Sequence, residues 1–156
     1  MTDTPEQEQS LPPLIVNGQY IKDLSFEAPH APNIFSELQG RQPDVPISID
    51  LQARPLAENV YEVLLHLKIE GRLDDKVAFM IELAYGGVFT VHVPAEHLQP
   101  MLLIEAPRIL FPFARAIIAD ATRNAGFPPL MLQPIDFVQL YRQRVAEVAA
   151  EQNGEA

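Results

Sequence analysis

The sequence predicts an α+β fold in which a four-stranded antiparallel sheet is followed by C-terminal helices. Between residues 45 and 85, three stretches alternate apolar and polar residues with a period of two, as in strands that bury one face. After residue 95 the apolar residues recur at helical spacing instead. Because the strands come first and the helices second, the pattern favours α+β over a parallel α/β fold.

The length of 156 residues, 47% of them hydrophobic, suits one domain with its own core. We expect that domain over residues 13–146, between disordered acidic tails at 1–12 and 147–156 that are rich in Glu and Gln. No apolar run approaches the roughly 18 residues that span a bilayer, so direct membrane insertion is not expected. The acidic N-terminus is unlike a signal peptide and favours a cytoplasmic protein.

The first strand is expected over residues 14–26, with its alternation blurred at Asn17-Gly18, and residues 28–41 are expected to form a loop. Three central strands follow, joined by short turns such as residues 71–75, which implies an antiparallel meander. Pro46 cannot donate a hydrogen bond to a neighbouring strand, so the strand that carries it has an open edge. Gly86-Gly87 is expected to end or bend the last strand. The residues expected to face the core are Val45, Ile47, Ile49 and Leu51, then Tyr61, Val63, Leu65, Leu67 and Ile69, then Val77, Phe79, Ile81, Leu83 and Tyr85.

The helical third begins with a short helix over residues 96–105, with Pro100 in its first turn. Pro107 and Pro112 then lead into a longer helix that ends at Gly126. Asp136 caps a final helix. The apolar stripe of that final helix consists of Phe137, Leu140, Tyr141, Val145 and Val148.

The longer helix is apolar over more of its circumference than one small domain needs to bury. A monomer that left part of this surface in water would lose about 25 cal/mol per Å², so the pattern favours self-association, although a wide buried stripe in a monomer remains an alternative. The residues expected at an oligomer interface are Phe113, Ala114, Ile117, Ile118 and Ala121.

Catalytic, cofactor-binding and metal-binding patterns are missing from the sequence. It has no cysteine, its four histidines lie in separate segments, and its serines lack the glycines of a nucleophile elbow. We therefore expect no enzyme activity, no cofactor and no metal. The formal net charge of −10 argues against nucleic acid as a partner and permits attraction to a basic one.

Five separate motifs follow one another along the chain in the same order as in a known family. They are residues 20–32, 58–63, 86–89, 109–115 and 127–130. Together they resemble SecB, the bacterial export chaperone, over residues 20–141. The resemblance implies an ATP-independent holdase that binds unfolded secretory precursors and delivers them to the SecA ATPase. It also implies a homotetramer, a dimer of dimers in which helices pack between two sheets that each span two subunits.

The alternation predicts that Met80 and Glu82 point away from the core. The resemblance matches Asp23, Glu27, Met80 and Glu82 to a flat sheet face that binds the motor SecA. It also implies an apolar client groove, although each candidate could equally be plain core. Arg41 stands at the rim of that groove where the family can carry Trp. The candidate groove residues are Val45, Ile47, Ile49, Phe79, Phe127, Pro128, Leu130 and Tyr141.

Two other functions use the same surfaces: a binding module for a small apolar ligand, and an oligomeric scaffold without clients. A small pocket would saturate with one small molecule, whereas a holdase needs a long unfolded chain.

Overall fold

The four predicted strands form one antiparallel sheet in the computed structural model, which describes residues 11–154. The meander is confirmed for β2, β3 and β4, while β1 adds on the far side of β4, giving the order β1-β4-β3-β2 of a Greek key. Strands β1 and β2 are therefore the two edges, as Pro46 predicts for β2. Their bounds are β1 Leu14–Glu27, β2 Ile47–Ala57, β3 Val60–Leu73 and β4 Lys76–Val91.

Two tight turns join the three central strands. Asn59 between β2 and β3 has φ of 59°, and Asp74 between β3 and β4 has φ of 55°. Asn and Asp tolerate this left-handed conformation better than other side chains do. The β3–β4 turn is shorter than the predicted residues 71–75, because pairing continues to Leu73 and Lys76.

Gly86 and Gly87 lie within β4, which corrects the prediction that they end or bend it. Neither has a positive φ among the described backbone conformations. Each glycine instead makes room for a neighbour, since a Cβ at Gly86 would lie 2.8 Å from a Leu64 methyl carbon. A Cβ at Gly87 would lie 3.0 Å from a methyl carbon of Leu110, on the helix that covers the sheet. The pair therefore allows close packing on both faces of β4.

The helical region differs from the prediction in its continuity. Helix α1, Asn33–Glu37, lies within the predicted loop. Helix α2, Ala95–Pro100, runs through a π-helical turn, Met101–Glu105, directly into α3, Ala106–Asn124. Pro100 thus ends α2 and Pro112 lies inside α3, instead of marking helix starts. At the π-helical turn the hydrogen-bond ladder shifts register, and the amide of Ala106 donates to the carbonyl of Met101, five residues back.

Gly126 ends α3 as predicted, with φ of 96°. Asp136 caps α4, Phe137–Gly154, through a 3.1 Å hydrogen bond that its carboxylate accepts from the amide of Gln139. Residues 147–154 continue this helix, which corrects the disordered tail predicted there, because Glu147, Ala149 and Ala150 are good helix formers. Residues 1–10 and 155–156 of the predicted tails lie outside the described residues.

The core lies between one face of the sheet and α3. Leu110, Ala114 and Ile118 of α3 pack there with no exposed surface. This corrects the prediction that places Ala114 and Ile118 at an oligomer interface. None of the helices within residues 11–154 is long and apolar enough to cross a bilayer.

Candidate functional site

A cavity of about 350 Å³ opens between the segment that precedes β2 and the loop that follows α3. We call it the Phe127 cavity. Five of the eight predicted groove residues line it, and sequence reasoning did not select Leu38, Gln42, Pro43 and Pro129, which line it too. The five are Val45, Phe79, Phe127, Pro128 and Leu130.

The base of the Phe127 cavity is an aromatic cluster. The rings of Phe79 and Phe127 lie 5.0 Å apart, and Phe35 stands at the same distance from Phe127. Phe26, on β1, stacks on Phe79 with ring centroids 6.1 Å apart. Phe79 and Phe127 are themselves buried, so they form the floor of the cavity and also part of the core. The floor of the cavity is therefore apolar and aromatic.

The other three predicted residues lie farther along β2 and on α4. Ile49 and Tyr141 line a second cavity of about 420 Å³ between β2 and α4, which we call the Tyr141 cavity. Ile47 lies between the two cavities with 42% of its surface exposed. Val45 precedes β2, where the bridge between Asp44 and Arg72 continues the pairing of β2 with β3. Because alternate residues of an extended segment share a face, Val45, Ile47 and Ile49 form an apolar row that joins the cavities.

Strand β2 is an edge strand of the sheet, so one side of its backbone has no strand partner within residues 11–154. Arg144 of α4 satisfies one group on this strand, donating from Nη1 to the carbonyl of Leu51 at 2.6 Å. The apolar row therefore runs beside backbone groups that an extended peptide could pair with.

Arg41 lines the rim of the Phe127 cavity. Its Nη2 atom lies 2.6 Å from a carboxylate oxygen of Asp74, and this hydrogen bond raises the pKa of Arg41 and lowers that of Asp74. With its charge held by Asp74, Arg41 contributes its aliphatic stem to the rim.

The face of the sheet away from α3, here called the outer face, collects the four predicted motor-binding residues. In the register of β1 with β4, Glu27 lies opposite Met80, Ser25 opposite Glu82 and Asp23 opposite Ala84. Directly opposed residues share a face. Asp23, Glu27 and Glu82 are exposed there, and Met80 is half-buried.

The centre of the outer face is an open depression of about 550 Å³ that Asp23 and Glu82 help to line. Lys68 of β3 stands 3.7 Å from the Glu82 carboxylate, and both side chains are about half exposed. The outer face therefore carries acidic groups that solvent and a basic partner can reach.

Glu62 lies at the other end of the outer face and is only 5% exposed. Its carboxylate accepts hydrogen bonds from Tyr20, from Lys22 at 3.1 Å and from Arg54 at 2.8 Å. The Tyr20 hydroxyl, with help from the two cations, lowers the pKa of Glu62 to about 2. Burial, followed by this hydrogen bond, raises the pKa of Tyr20 to about 12.

This cluster ties β1, β2 and β3 together, since Tyr20 and Lys22 lie on β1, Arg54 on β2 and Glu62 on β3. Tyr20 reaches Glu62 across β4, which lies between β1 and β3. It crosses at Gly86, its partner in the register, where a Cβ would lie 2.9 Å from the tyrosine ring. Sequence reasoning selected neither Glu62 nor its partners, although the first and second motifs of the resemblance contain Tyr20, Lys22 and Glu62.

Among residues 11–154 no group of three or more His, Cys, Asp or Glu side chains is placed to hold a metal ion. The sites that the structure presents are thus an apolar groove and a charged face.

Comparisons with known proteins agree with one another. A sequence model of the family described as "Preprotein translocase subunit SecB" matches residues 7–148. The chain is 58% identical to a protein-export protein SecB of Paramagnetospirillum magneticum, over 97% of this chain and 98% of that protein. It is 57% identical to a protein-export protein SecB of Rhodospirillum rubrum, over 96% and 94% respectively.

Among solved structures, a SecB-like chaperone of Mycobacterium tuberculosis, determined with a ChAD peptide from the HigA1 antitoxin, has a similar fold. The TM-score is 0.63 at 13% sequence identity, over 79% of this chain and 88% of that one. This likeness supports the predicted fold.

Proposed function

Because the chain belongs to the SecB family of protein-export chaperones, we propose that it holds nonnative secretory precursors without ATP in a client groove on each subunit. The client groove consists of the Phe127 cavity, the Tyr141 cavity and the row Val45, Ile47 and Ile49 between them. It would work in a bacterial cytosol and keep its clients competent for export.

The observation that carries this proposal is the open edge of β2 beside an apolar row and an aromatic floor. An unfolded chain offers both unpaired backbone groups and apolar side chains. Pairing with an edge strand satisfies the backbone groups without regard to sequence, while the cavities bury alternate side chains. This combination suits many clients of different sequence, as a holdase requires.

A matched pair of substitutions on β2 tests the site. Ile47→Asp places a charge in the apolar row, and Leu56→Asp places the same charge near the far end of the same strand, at similar exposure. We expect Ile47→Asp to weaken capture of an unfolded precursor at least about tenfold, because bound apolar groups would desolvate the carboxylate. Leu56→Asp should capture clients as the wild type does. Equal capture by both variants would place the client groove elsewhere.

The outer face is proposed as the docking site for the SecA motor. Its support is the shared face of Asp23, Glu27 and Glu82, with Met80 as a small apolar contact. Exposed acidic groups attract a basic partner at long range and remain accessible to it. The face lies opposite α3, so a bound motor would leave the helix side of the sheet free.

A homotetramer built as a dimer of dimers is proposed for the assembly. Phe113 is 51% exposed, and Ile117 and Ala121 are half-buried on the same side of α3. Together they form an apolar stripe that one chain leaves partly in water and that a second copy of the chain would cover.

A further inference from the structure

Thr122 is a buried polar residue that lies behind the client groove without lining it. It occupies the last turn of α3 and has no exposed surface. Within the described part of the chain, Thr122 and Glu62 are the buried polar or charged residues, apart from Tyr85 with its hydroxyl at the end of an aromatic ring. A hydroxyl in such a place is costly unless it is fully hydrogen-bonded.

The surrounding groups determine the direction in which the hydroxyl of Thr122 donates its hydrogen. It donates to the carbonyl of Ile118 at 2.9 Å, with the carbonyl of Ala119 at 3.0 Å as the alternative acceptor. Both acceptors belong to α3, so the hydrogen is directed into the helix. The lone pairs of the oxygen are then free to accept, and one of them accepts from the amide of Leu130 at 2.9 Å.

The wall of the Phe127 cavity is the four-residue stretch 127–130, and all four residues line the cavity. Pro128 and Pro129 have no backbone N–H, so this stretch has only two amide donors, those of Phe127 and Leu130. The amide of Phe127 donates to the backbone carbonyl of Thr122 at 3.0 Å. The amide of Leu130 donates to its hydroxyl. Both backbone N–H groups of the cavity wall therefore donate to Thr122.

We propose that Thr122 is a positioning residue for client capture, an inference that rests on the proposed function of the Phe127 cavity. Its carbonyl fixes the start of the wall and its hydroxyl fixes the end. Without the hydroxyl, the Leu130 amide loses its acceptor and the wall leaves its binding-competent position for part of the time. The apparent affinity for a client then falls in proportion to the fraction of molecules whose wall is in the binding-competent position.

Two substitutions of Thr122 separate the hydroxyl from the packing. Thr122→Val keeps the shape and removes the hydroxyl, whereas Thr122→Ser keeps the hydroxyl and removes a methyl group. We expect Thr122→Val to bind an unfolded precursor about three- to tenfold more weakly, the factor that one net hydrogen bond supports. Thr122→Ser should bind close to the wild type. A purely structural role predicts the opposite order, because serine leaves a cavity and valine does not.

The matched control is Ile118→Val, which removes one buried methyl group a single helical turn earlier and changes no hydrogen bond. It should capture clients as the wild type does. Hydrogen exchange gives a second readout: the Leu130 amide is expected to be protected in the wild type and in Thr122→Ser, and to exchange faster in Thr122→Val.

Leu130→Asp distinguishes the failure of this inference from failure of the proposed function. If Leu130→Asp loses capture while Thr122→Val captures normally, Thr122 does not position the wall. If Leu130→Asp also captures normally, the cavity does not hold clients and the proposed site itself is wrong. Should Thr122→Val not fold, rapid exchange of the Leu130 amide in the native protein would overturn the inference.

Discussion

At Glu62 a single buried carboxylate depends on Tyr20, Lys22 and Arg54. Its pKa of about 2 lies below the usual value of about 4.3. A carboxyl group with a lowered pKa stabilises the folded state fully above its unfolded pKa, and that stabilisation is lost as the pH falls through the folded pKa. The cluster thus ties β1, β2 and β3 together at neutral pH and weakens in acid.

Replacing Glu62 by Gln should flatten the dependence of stability on pH between about pH 4.5 and pH 2. The variant should also be less stable at pH 7, by roughly 1–3 kcal/mol, because Lys22 and Arg54 lose their shared charge partner. Urea unfolding at several pH values measures both effects. If the free energy of unfolding of Glu62→Gln depended on pH as steeply as that of the wild type, other carboxylates would be responsible for the sensitivity to acid.

Glu82 should control motor docking through charge. We expect Glu82→Lys to weaken SecA binding at least about tenfold, because it puts a cation beside Lys68 and opposite a basic partner. Glu37→Lys is the matched control, since Glu37 is also exposed and paired with a lysine but lies on α1. Binding is measured by calorimetry at low and high salt.

Wild-type docking should weaken as salt rises, because the Debye length is only about 8 Å at physiological ionic strength. Client capture should change little. Loss of oligomerisation in Glu82→Lys would mean that the outer face is covered in the assembly.

At the scale of elements, the strands were predictable because alternate residues of β2, β3 and β4 meet different environments. The helices were less predictable from the sequence. Rules for proline place it at helix starts, yet Pro112 lies inside α3. Packing of Leu110, Ala114 and Ile118 on the sheet compensates for the missing hydrogen bonds. The apolar pattern of α3 also left open whether its wide stripe is buried within one chain or shared between copies. In the structure part of that stripe faces the sheet and part, including Phe113, stays exposed.

The role of Gly86 and Gly87 was predicted wrongly because glycine in a strand is expected to allow an unusual backbone conformation. Here the missing Cβ atoms make room for neighbouring side chains instead. Gly86→Ala and Gly87→Ala should each destabilise the protein by roughly 1–3 kcal/mol through overpacking. Gly18→Ala on β1 is the control, since a Cβ there meets nothing within 4 Å. It should change the free energy of unfolding by less than about 0.5 kcal/mol. Urea midpoints of the three variants check this, and equal midpoints would contradict it.

At the scale of the whole molecule, the Phe127 cavity of the client groove combines segments that are far apart in sequence: residues 38–45, β4 and the 127–130 loop. Periodicity alone could not bring them together, and the resemblance to the SecB family identified five of the cavity residues. It did not identify Thr122 or the buried cluster around Glu62. Those depend on three-dimensional placement, because a buried threonine or glutamate has no distinctive pattern in sequence.

The assembly should have a mass of four times 17.4 kDa in solution, measured by size-exclusion chromatography with light scattering. Phe113→Asp should shift it to smaller species, because an unpaired charge would be desolvated at the interface. Leu56→Asp, on exposed β2 surface, is the control and should leave the mass unchanged. A stable wild-type monomer at micromolar concentration would contradict the proposed tetramer.

The central claim is that the chain holds long nonnative polypeptides without ATP. Its most direct test is the refolding rate of a chemically unfolded precursor, followed by fluorescence with and without the chain and in the absence of nucleotide. A holdase is expected to slow refolding in proportion to its concentration until the groove is saturated, and a small apolar molecule should not relieve the delay at stoichiometric amounts. Refolding at the unassisted rate, or a delay abolished by one equivalent of the small molecule, would contradict the account.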